Sequence, residues 1–165
     1  MTRSEFIRVL KDKGYEYTIE GDKLVVIGNE IYFDAIESIP SGVKFNNSGS
    51  VSLVTLKTIP SDVEFNNEGS VYLDSLETIS SDVEFRNKGG VNLTSLKNLP
   101  NGMRFNNKGS VYLQSLETIS SDVKFNNNLD VYLESLGWFS ESSLAIKGVK
   151  YTKLLNSIIK KRIFE

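Results

Sequence analysis

Apolar residues recur along this chain at an interval of 20 positions, and most of the architecture follows from that spacing. Five copies align without gaps, beginning at Val43, Val63, Val83, Met103 and Val123, and a degenerate earlier copy reads "IYFDAIESIPSG" from Ile31 to Gly42. One column holds Ile31, Val51, Val71, Val91, Val111 and Val131; two positions on stand Phe33, Leu53, Leu73, Leu93, Leu113 and Leu133. A second alternating pair is Val43 with Phe45, repeated through Val123 with Phe125. Alternation is strand spacing, because successive strand side chains face opposite ways. The intervening L-x-x-L-x-x-I run, as in Leu53, Leu56 and Ile59, has period three. It reads as a turn or short irregular arc that points inward at every third residue. Each copy is then one coil carrying two short strands.

Self-similarity at such a period marks a solenoid. A single coil cannot bury its own apolar side, whereas stacked coils can. Equivalent residues then lie about 4.8 Å apart on neighbouring rungs, and parallel pairing implies right-handed winding. The expected fold is mainly β: a right-handed repeat solenoid of about six 20-residue coils over residues 31–142, with caps at 1–30 and 143–165.

The N-terminal cap is predicted as a helix and hairpin. Thr2 and Glu5 form a T-x-x-E capping box, Phe6, Val9 and Leu10 share one face, Gly14 ends the helix, and Gly21-Asp22 turns a hairpin. At the other end Asn128-Leu129-Asp130 replaces the corner x-Gly-Ser. There "LAIKGVKY" predicts a strand and "TKLLNSIIKKRIFE" an amphipathic helix with Leu154, Leu155, Ile158 and Ile159 on one side.

Polar columns refine the coil. Gly49, Gly69, Gly89 and Gly109 are expected at positive φ in a tight corner. Asn47, Asn67, Asn87, Asn107 and Asn127 are expected to bond from rung to rung as an amide ladder. Glu37, Lys57, Glu77, Lys97 and Glu117 alternate in sign, so stacking would set opposite charges side by side.

Composition narrows the chemistry. Apolar residues make up 39 % of the 165-residue chain and aromatics 10 %, which is not a disordered composition. The net charge of −2 gives no electrostatic case for nucleic acid or membrane. With neither Cys nor His, disulfides, thiolate and imidazole ligands, Cys nucleophiles and His bases are excluded. The start, "MTRSEFIRVLKDKGYEY", breaks its apolar residues with charges, and no long apolar run follows, so the cytoplasm is the expected compartment.

The outward positions of the V-x-L strand carry Tyr32, Ser52, Tyr72, Asn92, Tyr112 and Tyr132, flanked by Asp34, Val54, Asp74, Thr94, Gln114 and Glu134. Tyrosine offers a large contact area at low entropic cost and is favoured at interfaces; it also simply suits an exposed strand. The candidate partner-binding residues are Tyr32, Tyr72, Asp74, Tyr112, Gln114, Tyr132 and Glu134. Lys44, Glu64, Glu84, Arg104 and Lys124 mix signs as a solvated face does. Lys160, Lys161 and Arg162 suit a helix C-terminus, and Trp138 with Phe139 suits core packing. Asp62, Asp82 and Asp122 follow Ser in a turn and lack the surrounding calcium-repeat phrase. The hydroxyl column Thr55, Ser75, Ser95, Ser115 and Ser135 lacks the threonine regularity of an ice-binding face.

The stretch "SLETISSDVEFRNKGGVNLTSLKNLP", with its L-x-x-[IL]-[PS] step and V-x-F-x-N strand, resembles bacterial and phage leucine-rich-repeat-like proteins with short units. The likeness spans Ile31 to Phe139. The Asn follows the second strand residue by two rather than three, so a horseshoe and a straighter β-solenoid both stay open. The resemblance implies a binding scaffold and, for phage members, an inhibitor of a host defence protein such as a CRISPR nuclease. No catalytic residue, cofactor or metal ligand is expected. The expected function is a non-catalytic scaffold with a protein partner, and nucleic-acid, membrane and small-molecule partners are not expected. Its alternatives are a carbohydrate-binding solenoid and a self-associating structural module.

Overall fold

The computed structural model describes residues 1–119 and 122–133. Glu134, Trp138, Phe139, the basic cluster at 160–162 and the cap expected at 143–165 lie outside the described residues.

The 20-residue period is realised as a β-solenoid of parallel rungs. Strands of the V-x-L columns (Ile31–Tyr32, Val51–Ser52, Val71–Tyr72, Val91–Asn92, Val111–Tyr112 and Val131–Tyr132) form a six-stranded sheet. Its register keeps equivalent residues opposite one another, as in Val51↔Val71 and Val91↔Val111. The V-x-F columns form a second sheet from Val43–Phe45, Glu64–Phe65, Glu84–Phe85, Arg104–Phe105 and Lys124–Phe125.

The arc between them is more ordered than its period suggests. Thr58–Ile59 pairs in parallel with Thr78–Ile79, and bridges join Ser38 to Thr58 and Asn98 to Thr118. The coil therefore presents three sheets, not two. Once the other two sheets lock the register, equivalent arc groups lie side by side and pair: Glu77 N–H donates to Lys57 O at 2.9 Å, and Ser80 N–H to Ile59 O at 3.1 Å. The inward reading of the arc holds, with Leu56, Leu76, Leu96 and Leu116 fully buried.

All three sheets close on one core. Phe45, Phe65, Phe85, Phe105 and Phe125 stack in sequence with centroids 5.2, 5.1, 5.4 and 5.0 Å apart and ring planes within 8° of parallel. Each is at most 1 % exposed. Burying a ring of this size contributes about 2–3 kcal/mol.

The corner glycines are needed for a different reason from the one the sequence suggests. Gly49, Gly69, Gly89 and Gly109 are not among the positive-φ residues; within the coils that conformation falls at Gly42, Asp62 and Gly102, in the turn just before the V-x-F segment. At Gly69 a Cβ would lie 2.5 Å from Ser50 N and 2.6 Å from Gly49 C, both main chain of the preceding rung. At Gly109 the gap to Gly89 C is 2.4 Å. Hydrogen in place of a side chain lets successive corners touch, and Gly69 N–H donates to Gly49 O and Gly89 N–H to Gly69 O.

The inner asparagines do not form an amide ladder either. Asn67 Nδ2 donates to Gly69 O and to Gly49 O of the preceding rung, each at 3.0 Å; Asn87 and Asn107 repeat the pattern. They act as clamps between corner carbonyls. The amide-to-amide ladder runs outside, through Asn66 to Asn46 at 2.9 Å and Asn126 to Asn106 at 2.8 Å.

The N-terminal cap forms as its local signals predict. Helix α1 (Arg3–Asp12) starts at Thr2, whose Oγ1 accepts from Glu5 N–H while its own N–H donates to Glu5 Oε2. It ends with Gly14 at φ +71° and the pair Gly14 N–H to Lys11 O and Tyr15 N–H to Leu10 O. Phe6 and Leu10 are buried, and Phe6 and Tyr15 pack on Phe33 at 5.5 and 5.3 Å. Strands β1 (Glu16–Glu20) and β2 (Lys23–Ile27) form the hairpin, and β2 joins Val43–Phe45 in parallel as the first rung of the V-x-F sheet.

Candidate functional site

The V-x-L sheet turns its second strand position outward, and the tyrosines stand there. Tyr32 and Tyr72 are 47 % and 41 % exposed, while Tyr112 and Tyr132 are half-buried and stack on each other at 4.8 Å with planes 1° apart. That distance matches the rung spacing, so these two rings form an outer ladder like the inner phenylalanines. The ladder is interrupted at Ser52 and Asn92.

The two interruptions differ. Ser52 is only 8 % exposed, so its gap is closed over. Asn92 remains accessible and is pinned: its Nδ2 donates to Asp74 Oδ1 at 2.9 Å, and its Oδ1 accepts from Thr94 N–H at 3.2 Å. Around it opens a cleft of about 650 Å³, flanked by Tyr72 and Tyr112, with Gly90, Gln114, Lys88 and Leu129 among its lining. Gly90 stands where the neighbouring rungs carry Ser70 and Ser110. Gln114 Oε1 is buried and accepts no hydrogen bond. The amide oxygens of Asn47, Asn67, Asn87 and Asn107 are unpaired too, but none of them lines this cleft.

Of the residues singled out from sequence, the structure gathers Tyr72, Tyr112 and Gln114 around one cleft, with Asp74 attached through Asn92. Tyr132 backs Tyr112 through the ring stack, Tyr32 stands apart at the first rung, and Glu134 is outside the described residues. Gly90, Asn92 and Leu129 were not singled out. The break from Ser to Gly at position 90 was the readable signal for them.

The face is acidic. Glu30, Asp34, Asp74 and Asp130 flank the described tyrosines, and no Lys or Arg occupies an outward position of these strands. Lys88, at the corner, is held by Glu68 at 2.5 Å. The Glu30 carboxylate beside Tyr32 pushes its phenol above the ordinary value, with partial desolvation adding to it. For Tyr132 desolvation comes first and Asp130 second, in the same direction. Both phenols therefore stay protonated at neutral pH.

The remaining surfaces carry structural duties. Lys57 meets Glu77 at 2.9 Å and Lys97 meets Glu117 at 2.8 Å, so the alternating column pairs its charges two by two, beside a shallow depression that Ser75 and Ser95 also line. On the V-x-F sheet Glu64 is met by Lys23 at 3.0 Å and Lys44 at 3.9 Å. Lys23 also binds Asp62, and Asp82 Oδ2 accepts from Asp62 N–H at 3.0 Å, which ties these aspartates into the turn stack.

A longer period overlies the coil. Tyr occurs with Glu (Tyr32/Glu37, Tyr72/Glu77, Tyr112/Glu117), and a small polar residue with Lys (Ser52/Lys57, Asn92/Lys97). From Tyr32 to Glu117 these two outward columns repeat every 40 residues while the core repeats every 20, and Tyr132 ends the alternation.

No family model, curated protein or solved structure matches the chain. Among the described residues no helix is long and apolar enough to cross a membrane.

Proposed function

We propose that this protein is a non-catalytic scaffold, acting in the cytoplasm, that binds a protein partner across the tyrosine-bearing V-x-L sheet. The carrying observation is the exposed, partly stacked tyrosine row on rungs that hydrogen bonds fix on both sides. Rigid aromatic area of this kind loses little freedom on contact. The acidic flanks favour a partner with a basic surface, since complementary charge raises the association rate and rejects wrong partners.

The narrower reading, an inhibitor of a bacterial defence enzyme such as a CRISPR nuclease, comes with kinship to short-unit leucine-rich-repeat-like proteins and rests on the repeat phrase alone. Affinity capture with the wild type and with the triple variant Tyr72→Ala, Asp74→Lys, Tyr112→Ala tests the face. The partner should be lost from the variant while circular dichroism and melting temperature are kept. An unchanged partner set refutes the reading, and glycan binding without any protein partner favours a carbohydrate module.

A further inference from the structure

We propose that the cleft at Asn92 is a guanidinium slot, which receives one arginine side chain of a basic partner between the rings of Tyr72 and Tyr112. This rests on the reading of the V-x-L sheet as a protein-binding face.

The spacing comes first. Tyr72 and Tyr112 occupy rungs two steps apart, about 10 Å at the parallel-strand spacing. The rung between them carries Asn92, held down by Asp74 and Thr94, so one member of the ring ladder is missing. A planar group entering there lies about 5 Å from each ring, inside the range for stacking and for cation–π attraction. The Tyr112 wall is braced from behind by Tyr132. At the Ser52 gap the same vacancy is closed over, so the Asn92 slot is the one that stays open.

Chemistry then selects among planar groups. A nucleic-acid base brings phosphates, which Glu30, Asp34, Asp74 and Asp130 repel. A phenyl ring fills the vacancy but draws nothing from the acidic flanks. A lysine ammonium has the charge without the plane. Guanidinium is flat, permanently cationic and carries five N–H donors. It can lie between the rings and sit near the Asp74 carboxylate that anchors the slot floor. Lys88 at the rim does not oppose it strongly, because Glu68 already engages that ammonium.

The test is an NMR titration of the full chain with three blocked tripeptides, acetyl-Gly-Arg-Gly-amide and its Lys and Trp counterparts. The arginine peptide should give saturable shifts at the amides of Gly89, Gly90, Asn92 and Tyr112, with the other two about tenfold weaker. Asn92→Tyr supplies the missing ring and should abolish those shifts without lowering the melting temperature. Equal response to the Arg and Lys peptides, preference for the Trp peptide, no saturable shift with any, or undiminished binding by Asn92→Tyr each overturns the slot. Partner capture that depends on Tyr72 and Tyr112, combined with no arginine preference, removes the slot and leaves the face. Arginine preference with capture indifferent to those tyrosines keeps the slot and removes the face.

Discussion

A Cβ built on Gly89 would lie 2.5 Å from Ser70 N and 2.6 Å from Gly69 C, and neither atom can swing aside as a side chain could. One on Gly90 would meet nothing closer than Ser110 O at 3.1 Å, and other rungs carry serine at that position. Gly89→Ala should therefore cost about 3 kcal/mol in urea unfolding, as overpacking against fixed backbone does, while Gly90→Ser stays within about 1 kcal/mol. The glycine column was plain in the sequence, but its cause was not. A recurring glycine signals either a special φ or a close contact, and only the stacked rungs tell which. The same ambiguity hid the clamp made by Asn67, because the sequence marks an inward amide without showing that the nearest acceptors are corner carbonyls. At Asp82, hydrogen bonds from the Ser80 side chain and then from Asp62 N–H hold the carboxyl below its ordinary value. The folded chain thus releases this proton more readily than the unfolded one. The resulting stability is present above the unfolded-state value near 4 and disappears as pH falls through the folded one. Unfolding midpoints measured from pH 6 downward should drop in the wild type, and that part of the drop should be missing in Asp82→Asn.

The first strand of the V-x-L sheet exposes an edge, and a single hydroxyl closes it. Tyr15 Oη accepts from Tyr32 N–H at 2.8 Å and donates to Tyr32 O at 3.0 Å, so it occupies both backbone groups that a further strand would use. Tyr15→Phe keeps the ring against Phe33 but frees that edge. Thermal or urea unfolding should show a loss of about 1 kcal/mol, and light scattering should show more association than in the wild type. Helix and hairpin could be read in advance because their signals are local: T-x-x-E at the start, Gly14 at the stop, Gly21-Asp22 at the turn. The third sheet could not. A two-residue strand such as Thr58–Ile59 has no periodicity of its own, and its partner lies 20 residues away.

Across the whole molecule, the lap of 20 residues is the unit that can be removed. Deleting residues 63–82 sets Phe45 against Phe85 and Val51 against Val91, which repeats contacts the core already makes. That variant should melt in one cooperative transition with its β-type circular dichroism intact. Deleting residues 63–72 alone shifts every inward residue out of its column, and it should not fold. The tyrosine face was legible at this scale because outward columns survive any handedness or curvature. The cleft was not, since Ser52 and Asn92 look alike in sequence as small polar interruptions, yet in the structure Ser52 is buried and Asn92 lines an open cleft.

The mismatch between a 20-residue interior and the 40-residue alternation of two outward columns sets a rule for growth. Splicing in a second copy of residues 63–102 preserves every column of the core and every opposite-charge step outside, and it places another open gap about 10 Å from the first. Valency for flat cations would then climb by one with each such insertion, and a ligand bearing several arginines would gain avidity from length alone.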